Sequence, residues 1–147
     1  MNPDFLDMLR ALLEAEVRFL IVGAYALNLH TKPRATGDLD IWVEPAPENA
    51  PRVMRALKAF GAPLDEITEA DFTQPGVTFQ IGIPPVRIDL LTQLTALEFN
   101  QAWQDRVEHE MGPYLVSFLG KKSLIKNKRA IGRHKDLADL ECLEKDS

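Results

Sequence analysis

The stretch that decides the fold runs from Ile21-Val22-Gly23-Ala24 to Gly37-Asp38-Leu39-Asp40-Ile41-Trp42-Val43. Its first part is a short apolar run that ends at a glycine, which predicts a strand followed by a tight turn into a helix. In its second part, two aspartates alternate with apolar residues. Because alternate side chains of a strand lie on one face, Asp38 and Asp40 are predicted to point the same way.

A third aspartate, Asp89, lies in a later apolar run, Val86-Arg87-Ile88-Asp89-Leu90-Leu91. Carboxylates on buried strands are unfavourable unless a cation or hydrogen-bond donors compensate for their lost hydration. A ligand set made only of oxygen favours Mg²⁺ or Mn²⁺ over zinc. Asp38, Asp40 and Asp89 are therefore the predicted metal ligands and catalytic carboxylates. In the alternative interpretation, Asp38 and Asp40 are exposed acids on the solvent face of an edge strand.

Composition limits the class of protein. The length of 147 residues is that of one domain, and 46% of the residues are hydrophobic, enough for an ordinary core. The net charge of −5 argues against a surface for general nucleic-acid binding, although residues 121–135 form a local basic stretch. The only cysteine, Cys142, has no internal partner, which fits a reducing, cytoplasmic location. The longest apolar run near the start, residues 19–22, is too short for a membrane span, so no membrane partner is expected.

Hydrophobic spacing and turn residues predict helices and strands along the whole chain. Helices are predicted at residues 3–16, 23–30, before Gly61, 96–103 with Thr95 as its cap, from Ser123 to about 131, and 133–144. Strands are predicted at 18–22, 39–43, 77–83, 86–91 and 114–119. We expect a single domain over residues 1–147 with an α/β (α+β) fold. Its mixed sheet would carry helices mainly on one face, and a C-terminal helical segment, about residues 121–145, would cover the site.

The order of these features resembles the nucleotidyltransferase superfamily of DNA polymerase beta: a strand ending at Gly23, a helix, the pair Asp38 and Asp40, and a later Asp89. The run Lys-Arg-Ala-Ile-Gly-Arg-His-Lys-Asp-Leu-Ala-Asp-Leu at residues 128–140 is similar to the ending of small prokaryotic members, which include minimal nucleotidyltransferases and abortive-infection toxins. The resemblance extends from the first strand almost to the C-terminus. It implies Mg²⁺-dependent transfer of a nucleoside monophosphate from a nucleoside triphosphate to a hydroxyl, with two metal ions about 3.5–4 Å apart.

The resemblance also implies a nucleotide-binding set. Gly23 and Ala24 would hold the triphosphate through backbone N–H groups at a helix N-terminus. The family usually has Gly or Ser after the first glycine, so Ala24 removes a hydroxyl donor. Lys128 is implied to reach the phosphates. Arg34 is a further candidate for phosphate binding, because a guanidinium binds phosphate in a bidentate way. In the alternative interpretation, Arg34 is a solvated charge on a loop. Asp89 is also the candidate that removes the acceptor's proton.

The acceptor stays open among a protein side chain, a transfer RNA end and a small molecule such as an antibiotic. The toxin-like ending favours a toxin–antitoxin or phage-defence system. Because the chain is short, a partner protein or a second subunit is expected to supply part of the acceptor site. The alternative function is a catalytically weak or inactive module of the same fold that binds a nucleotide or a partner. Ala24 favours this alternative, and the three aspartates oppose it.

Overall fold

The structure is a computed structural model that describes residues 1–32 and 37–145. Within these ranges one mixed sheet contains six strands: β1 (Phe19–Val22), β2 (Leu39–Val43), β3 (Thr78–Ile83), β4 (Val86–Leu91), β5 (Val107–Met111) and β6 (Tyr114–Phe118). The strand order is β3-β4-β2-β1-β6-β5, so the sheet is open and has β3 and β5 at its edges. The predicted α+β class with a mixed sheet is confirmed.

The described ranges also contain six α-helices: α1 (Pro3–Glu14), α2 (Gly23–His30), α3 (Ala50–Phe60), α4 (Phe99–Gln104), α5 (Lys121–Ile131) and α6 (His134–Lys145). A short 3-10 helix covers Glu69–Thr73. Helix α1 packs against α3, and α5 packs against α6. Helix α2 contacts β1, β2 and α5, so it joins the centre of the sheet to the C-terminal helices. In the described ranges no helix is both long and apolar enough to cross a bilayer.

Strands β1, β2 and β4 form the apolar centre of the sheet. All four residues of β1 are buried, and Leu39 and Ile41 on β2 and Leu90 on β4 are fully buried. Strand β2 runs antiparallel to β1 and parallel to β4. Because β2 lies between these two strands, Asp40 is not on an edge strand. The carboxylates of Asp40 and Asp89 therefore interrupt the most apolar part of the sheet.

Local sequence explains where several helices begin and end. The Asn2 side chain accepts a hydrogen bond from the Asp4 N–H, and Pro3 takes the first helical position, so α1 begins there. Helices α3 and α5 end at Gly61 and Gly132, which adopt left-handed φ values of 90° and 67°. These boundaries agree with the sequence prediction.

Two predicted caps are wrong. Thr95 does not begin a helix, because Ala96 after it has a φ of 67° and α4 begins only at Phe99. Ser123 lies inside α5, which follows Gly120, and its N–H and Oγ both donate to Asp105 Oδ2. The Ser123 hydroxyl is therefore used in a contact with the loop before β5 and does not cap the helix.

The sequence analysis also misses strand β5. Its residues, Val-Glu-His-Glu-Met, are mostly exposed because the strand lies at the edge of the sheet. It pairs antiparallel with β6, and Met111 lies opposite Tyr114 across a turn that contains Gly112. Charged side chains obscure the apolar pattern of such an edge strand.

Candidate active site

The register of three central strands brings two predicted site residues together. Asp40 on β2 lies directly opposite Asp89 on the parallel strand β4. On its other side, Asp40 lies opposite Val22, the residue that precedes Gly23. Asp89 is buried, at 7% exposure, and Asp38 lies just before β2. The fold thus collects Asp38, Asp40, Asp89 and the glycine turn at one end of the central strands.

Arg87 joins this group, although the sequence analysis assigns it no role. Its Nη2 lies 2.8 Å from Asp38 Oδ2, and its Nε lies 3.2 Å from Asp89 Oδ1. The Nε–Oδ1 contact is an ion pair without hydrogen-bond alignment, and neither of these buried atoms has a hydrogen bond to another described residue. Arg87 precedes Asp89 by two residues on β4, and this spacing places both side chains on one face. That spacing is the signal that could have found Arg87 from the sequence.

We refer to Asp38, Asp40 and Asp89 as the acidic cluster. Its environment changes the protonation of Asp40. Burial raises the pKa of Asp40 to about 6, and the nearby charges of Asp89 and Asp38 act in the same direction. A hydrogen bond with Asp89 also raises this pKa, whereas the positive charge of Arg87 lowers it. At neutral pH the cluster therefore carries closely spaced negative charges, which favour the binding of a cation.

Gly23 is required by the approach of the backbone to this cluster. Its φ of 65° lies in the left-handed region, and a Cβ at this position would overlap Asp40 Oδ2. Only glycine allows both the conformation and the close contact. Ala24 follows in the first turn of α2, whose N-terminus has no side-chain cap. This turn begins at Gly23, so its N–H groups lie close to Asp40.

A cleft of about 700 Å³ connects the acidic cluster with the C-terminal helices. Gly23, Ala24, Asp38 and Asp40 line one part of it, and Lys128, Arg133 and Lys135 line another. The cleft therefore combines carboxylates from the sheet with cations from α5 and α6. The predicted role of the C-terminal segment as a cover of the site agrees with this arrangement.

Lys128 is engaged within the C-terminal helices. Its Nζ lies 3.3 Å from Asp136 Oδ1 and 3.2 Å from Asp139 Oδ2. Arg133 also binds the fully buried Asp136, with Nε 2.5 Å from Oδ2. The hydrogen bond from Arg133, supported by Lys128 and opposed by burial, lowers the pKa of Asp136 to about 2. Lys128 thus lines the cleft while two carboxylates hold its ammonium group, and its contact with phosphate stays a prediction.

The fit of a divalent metal depends on Arg87. In the described parts of the chain, no three carboxylate, imidazole or thiolate side chains converge on a metal-binding position. The chemistry of the donors nevertheless suits Mg²⁺ or Mn²⁺, because Asp38, Asp40 and Asp89 offer only oxygen and Asp89 Oδ1 lacks a hydrogen bond. The guanidinium of Arg87 lies between two of these donors. A divalent metal at these carboxylates stays a prediction.

Two further observations concern the predicted phosphate ligand Arg34 and a second cavity. Arg34 lies outside the described residues, so its predicted contact with phosphate has no structural counterpart here. A second cavity, of about 600 Å³, contains Arg18, Trp42, Glu44 and Glu98, but none of the predicted site residues. We place the candidate active site in the larger cleft, because Asp38, Asp40 and the glycine turn at Gly23 line it.

Comparisons with known protein families and with curated proteins return no match to this chain. The resemblance to nucleotidyltransferases therefore stays an expectation from the residues. The geometry of the cleft is what supports a function.

Proposed function

We propose that this protein is a metal-dependent nucleotidyltransferase that moves a nucleoside monophosphate from a nucleoside triphosphate to a hydroxyl acceptor. The observation that carries the proposal is the cleft with an acidic cluster on one side and cations on the other. We propose that Asp38 and Asp40 hold the divalent metal, and that Lys128, Arg133 and Lys135, which line the same cleft, compensate phosphate charge.

The three carboxylates are the proposed metal ligands. Bound Mg²⁺ or Mn²⁺ would polarise the α-phosphate and lower the pKa of the attacking hydroxyl. Asp40 and Asp89 are suited to hold a cation because their strands fix them in register, without help from flexible loops. Asp38 lies beside them and is partly exposed to the cleft.

The triphosphate is proposed to lie against the start of α2. The N–H groups around Gly23 and Ala24 have no side-chain cap, so they are available to phosphate oxygens. The close approach of Gly23 to Asp40 would bring those oxygens beside the carboxylates. Arg133 and Lys135, on the opposite side of the cleft, would compensate the remaining phosphate charge.

The proposed reaction is an in-line displacement at the α-phosphorus. The acceptor oxygen forms a new bond to this phosphorus, and the bond to the bridging oxygen of the β-phosphate breaks. Pyrophosphate leaves with the electron pair of that bond. The proton of the acceptor hydroxyl passes to a carboxylate, a role we assign to Asp89.

The acceptor belongs to one of three classes: a protein side chain, a transfer RNA end or a small molecule. We favour a cytoplasmic toxin–antitoxin or phage-defence system because of the toxin-like ending at residues 128–140. A partner protein or a second copy of the chain would complete the acceptor site.

A second candidate function is a nucleotide-binding or partner-binding module without turnover. The position of Arg87 favours it, because an internal cation already neutralises part of the acidic cluster. Ala24 favours it too, because it offers no hydroxyl to the triphosphate.

A transfer assay separates the two candidates. The purified protein is incubated with each α-³²P-labelled nucleoside triphosphate and Mg²⁺, in cell extract and with purified transfer RNA. We expect label in one acceptor fraction with the native protein and with Asp7→Asn, a control on the exposed surface of α1, but not with Asp40→Asn. Mg²⁺-dependent nucleotide binding without label in any fraction would instead support the module.

A further inference from the structure

We propose that Arg87 is the internal counter-ion of the acidic cluster and competes with the divalent metal for Asp38 and Asp89. This inference rests on the proposed function, because it concerns the same metal site. It adds a residue whose charge determines the metal concentration at which the site becomes occupied. Arg87 would hold the cluster together without metal and leave Asp38 and Asp89 when metal binds.

The guanidinium of Arg87 occupies a position between two of the predicted metal ligands. The guanidinium reaches Asp38 with Nη2 at 2.8 Å and Asp89 with Nε at 3.2 Å, so one planar group spans both carboxylates. A metal that bridges the same two side chains would need the space that this group fills.

The charges of the cluster also favour displacement of Arg87. Among the described residues, three carboxylates and one guanidinium lie together, so these four groups carry excess negative charge. A divalent cation that enters beside Arg87 meets a positive charge within a few ångströms, which is unfavourable by Coulomb's law. Displacement of Arg87 removes this repulsion and frees carboxylate oxygens for coordination.

The Arg87 side chain also has room to leave the cluster. The Arg87 side chain is 30% exposed, so its end can leave the cluster without unfolding β4. Its cross-strand neighbour on β3 is Gly82, which has no side chain to fill the space beside Arg87. The ion pair with Asp89 lacks hydrogen-bond alignment, so little directional bonding holds the guanidinium there.

The experiment measures binding of Mn²⁺ alone, by titration calorimetry and by electron paramagnetic resonance, without nucleotide. The test variant is Arg87→Met, which keeps the apolar stem and removes the charge. The matched control is Arg106→Met, because Arg106 has a similar exposure of 31% and one carboxylate partner, Glu108, outside the cleft. Arg87→Lys keeps the charge but cannot span both carboxylates.

We expect Arg87→Met to bind Mn²⁺ about tenfold more tightly than the native protein, since removal of a like charge near the metal is worth at least this factor. Arg87→Lys should lie between the two, and Arg106→Met should equal the native protein. Without metal, Arg87→Met should melt at a lower temperature, and Mn²⁺ should raise its melting temperature more than it does for the native protein.

The outcomes separate this inference from the proposed function. Native-like or weaker Mn²⁺ binding by Arg87→Met, with clear binding by the native protein, would overturn the competition and leave the metal site standing. If neither protein binds Mn²⁺, the metal site itself is wrong, and both proposals fail. If Arg87→Met does not fold, the affinity of Arg87→Lys decides, with tighter binding than the native protein as the supporting result.

Discussion

Asp40 and Asp89 lie directly opposite each other on adjacent parallel strands, β2 and β4, in the apolar centre of the sheet. Side chains at such paired positions point to the same face, so their two carboxylates must be close. Burial and the neighbouring negative charges raise the pKa of Asp40 to about 6, so either a proton or a bound cation lowers the free energy of this pair. The fold therefore carries a cost in stability that metal binding would relieve.

The first prediction concerns Asp40→Asn. The raised pKa means that, as the pH falls, folded Asp40 takes up its proton before the unfolded chain does. In EDTA, the native protein should therefore lose unfolding free energy as the pH rises from about 4 to about 6. The asparagine side chain does not titrate, so the variant should be the more stable protein at pH 7, and its advantage should shrink towards pH 4. Denaturant unfolding at several pH values measures this difference.

Asp7→Asn on the exposed surface of α1 is the control, and it should follow the native protein at every pH. The Asp40→Asn variant should also lose nucleotide transfer while it stays folded. A pH-independent difference between native and variant would mean that Asp40 is not held in the proposed acidic environment.

The second prediction concerns Gly23→Ala. The new Cβ would overlap Asp40 Oδ2 and would also sit in a left-handed conformation with φ near 65°. Gly61→Ala is a matched control, because Gly61 has a φ of 90° but no neighbour within 4 Å of a built Cβ. Conformational strain alone costs about 1 kcal/mol. We expect Gly61→Ala to show about this loss and Gly23→Ala a larger one, together with loss of Mg²⁺-nucleotide binding. Equal losses of stability in urea unfolding would mean that Asp40 moves aside freely.

The sequence predicts the centre of the fold well because the central strands are short, mainly apolar runs that end at clear signals. Strand β2 is predicted at residues 39–43 and observed there, and Gly61 and Gly132 end their helices as expected. The grouping of Asp40 and Asp89 also follows from the sequence, because an aspartate inside an apolar strand is unusual enough to mark a site.

Other features depend on pairings that the linear pattern does not contain. The edge strand β5 is missed because its exposed face carries charged residues in place of an apolar alternation. Arg87 is missed because its contact with Asp38 forms only through the β2–β4 register, although its two-residue spacing from Asp89 is visible in the sequence. Lys128 is assigned to phosphate by resemblance alone, whereas its contacts with Asp136 and Asp139 need the packing of α5 against α6.

The third prediction concerns the buried ion pairs between α5 and α6. Asp136→Asn leaves Lys128 with one carboxylate fewer and removes the partner of Arg133. Because removal of one member of a buried ion pair costs about 3 kcal/mol, we expect the free energy of unfolding to fall by about this amount. Glu144→Gln on the same helix is the control, because its pair with Arg129 is exposed and should contribute less than about 1 kcal/mol. Chemical denaturation at pH 7 measures both losses.

The pH dependence of the same residue gives a second measurement. Because the pKa of Asp136 is lowered to about 2, its stabilisation is complete above its ordinary value of 3.8 and is lost as the pH falls from there towards 2. The difference between native protein and Asp136→Asn should therefore be constant from pH 7 to pH 5 and should shrink only below about pH 4. A difference that disappears already at pH 6 would contradict the assigned ion pairs.

The last prediction concerns the cations of the cleft and uses Lys135→Ala. Lys128 is a poor test of phosphate binding, because its removal also disturbs Asp136 and Asp139 and lowers stability. Lys135 lines the cleft and is exposed, and Lys126 on α5 is an exposed control that does not line it. Both substitutions remove one positive charge, so any long-range attraction falls equally. A direct charge-assisted hydrogen bond to phosphate, worth about 1 kcal/mol at an exposed position, would weaken nucleotide affinity about fivefold in Lys135→Ala alone.

Affinity for Mg²⁺ and a nucleoside triphosphate is measured by calorimetry at low and at moderate ionic strength. A contact at Lys135 should keep most of its effect in salt, because a close ion pair is screened less than charges more than about 10 Å apart. If both lysine variants lose affinity equally at low salt and recover together at moderate salt, α6 contributes only a general positive field. The triphosphate would then be held by the N-terminus of α2, and Gly23→Ala would remain the substitution that decides where it binds.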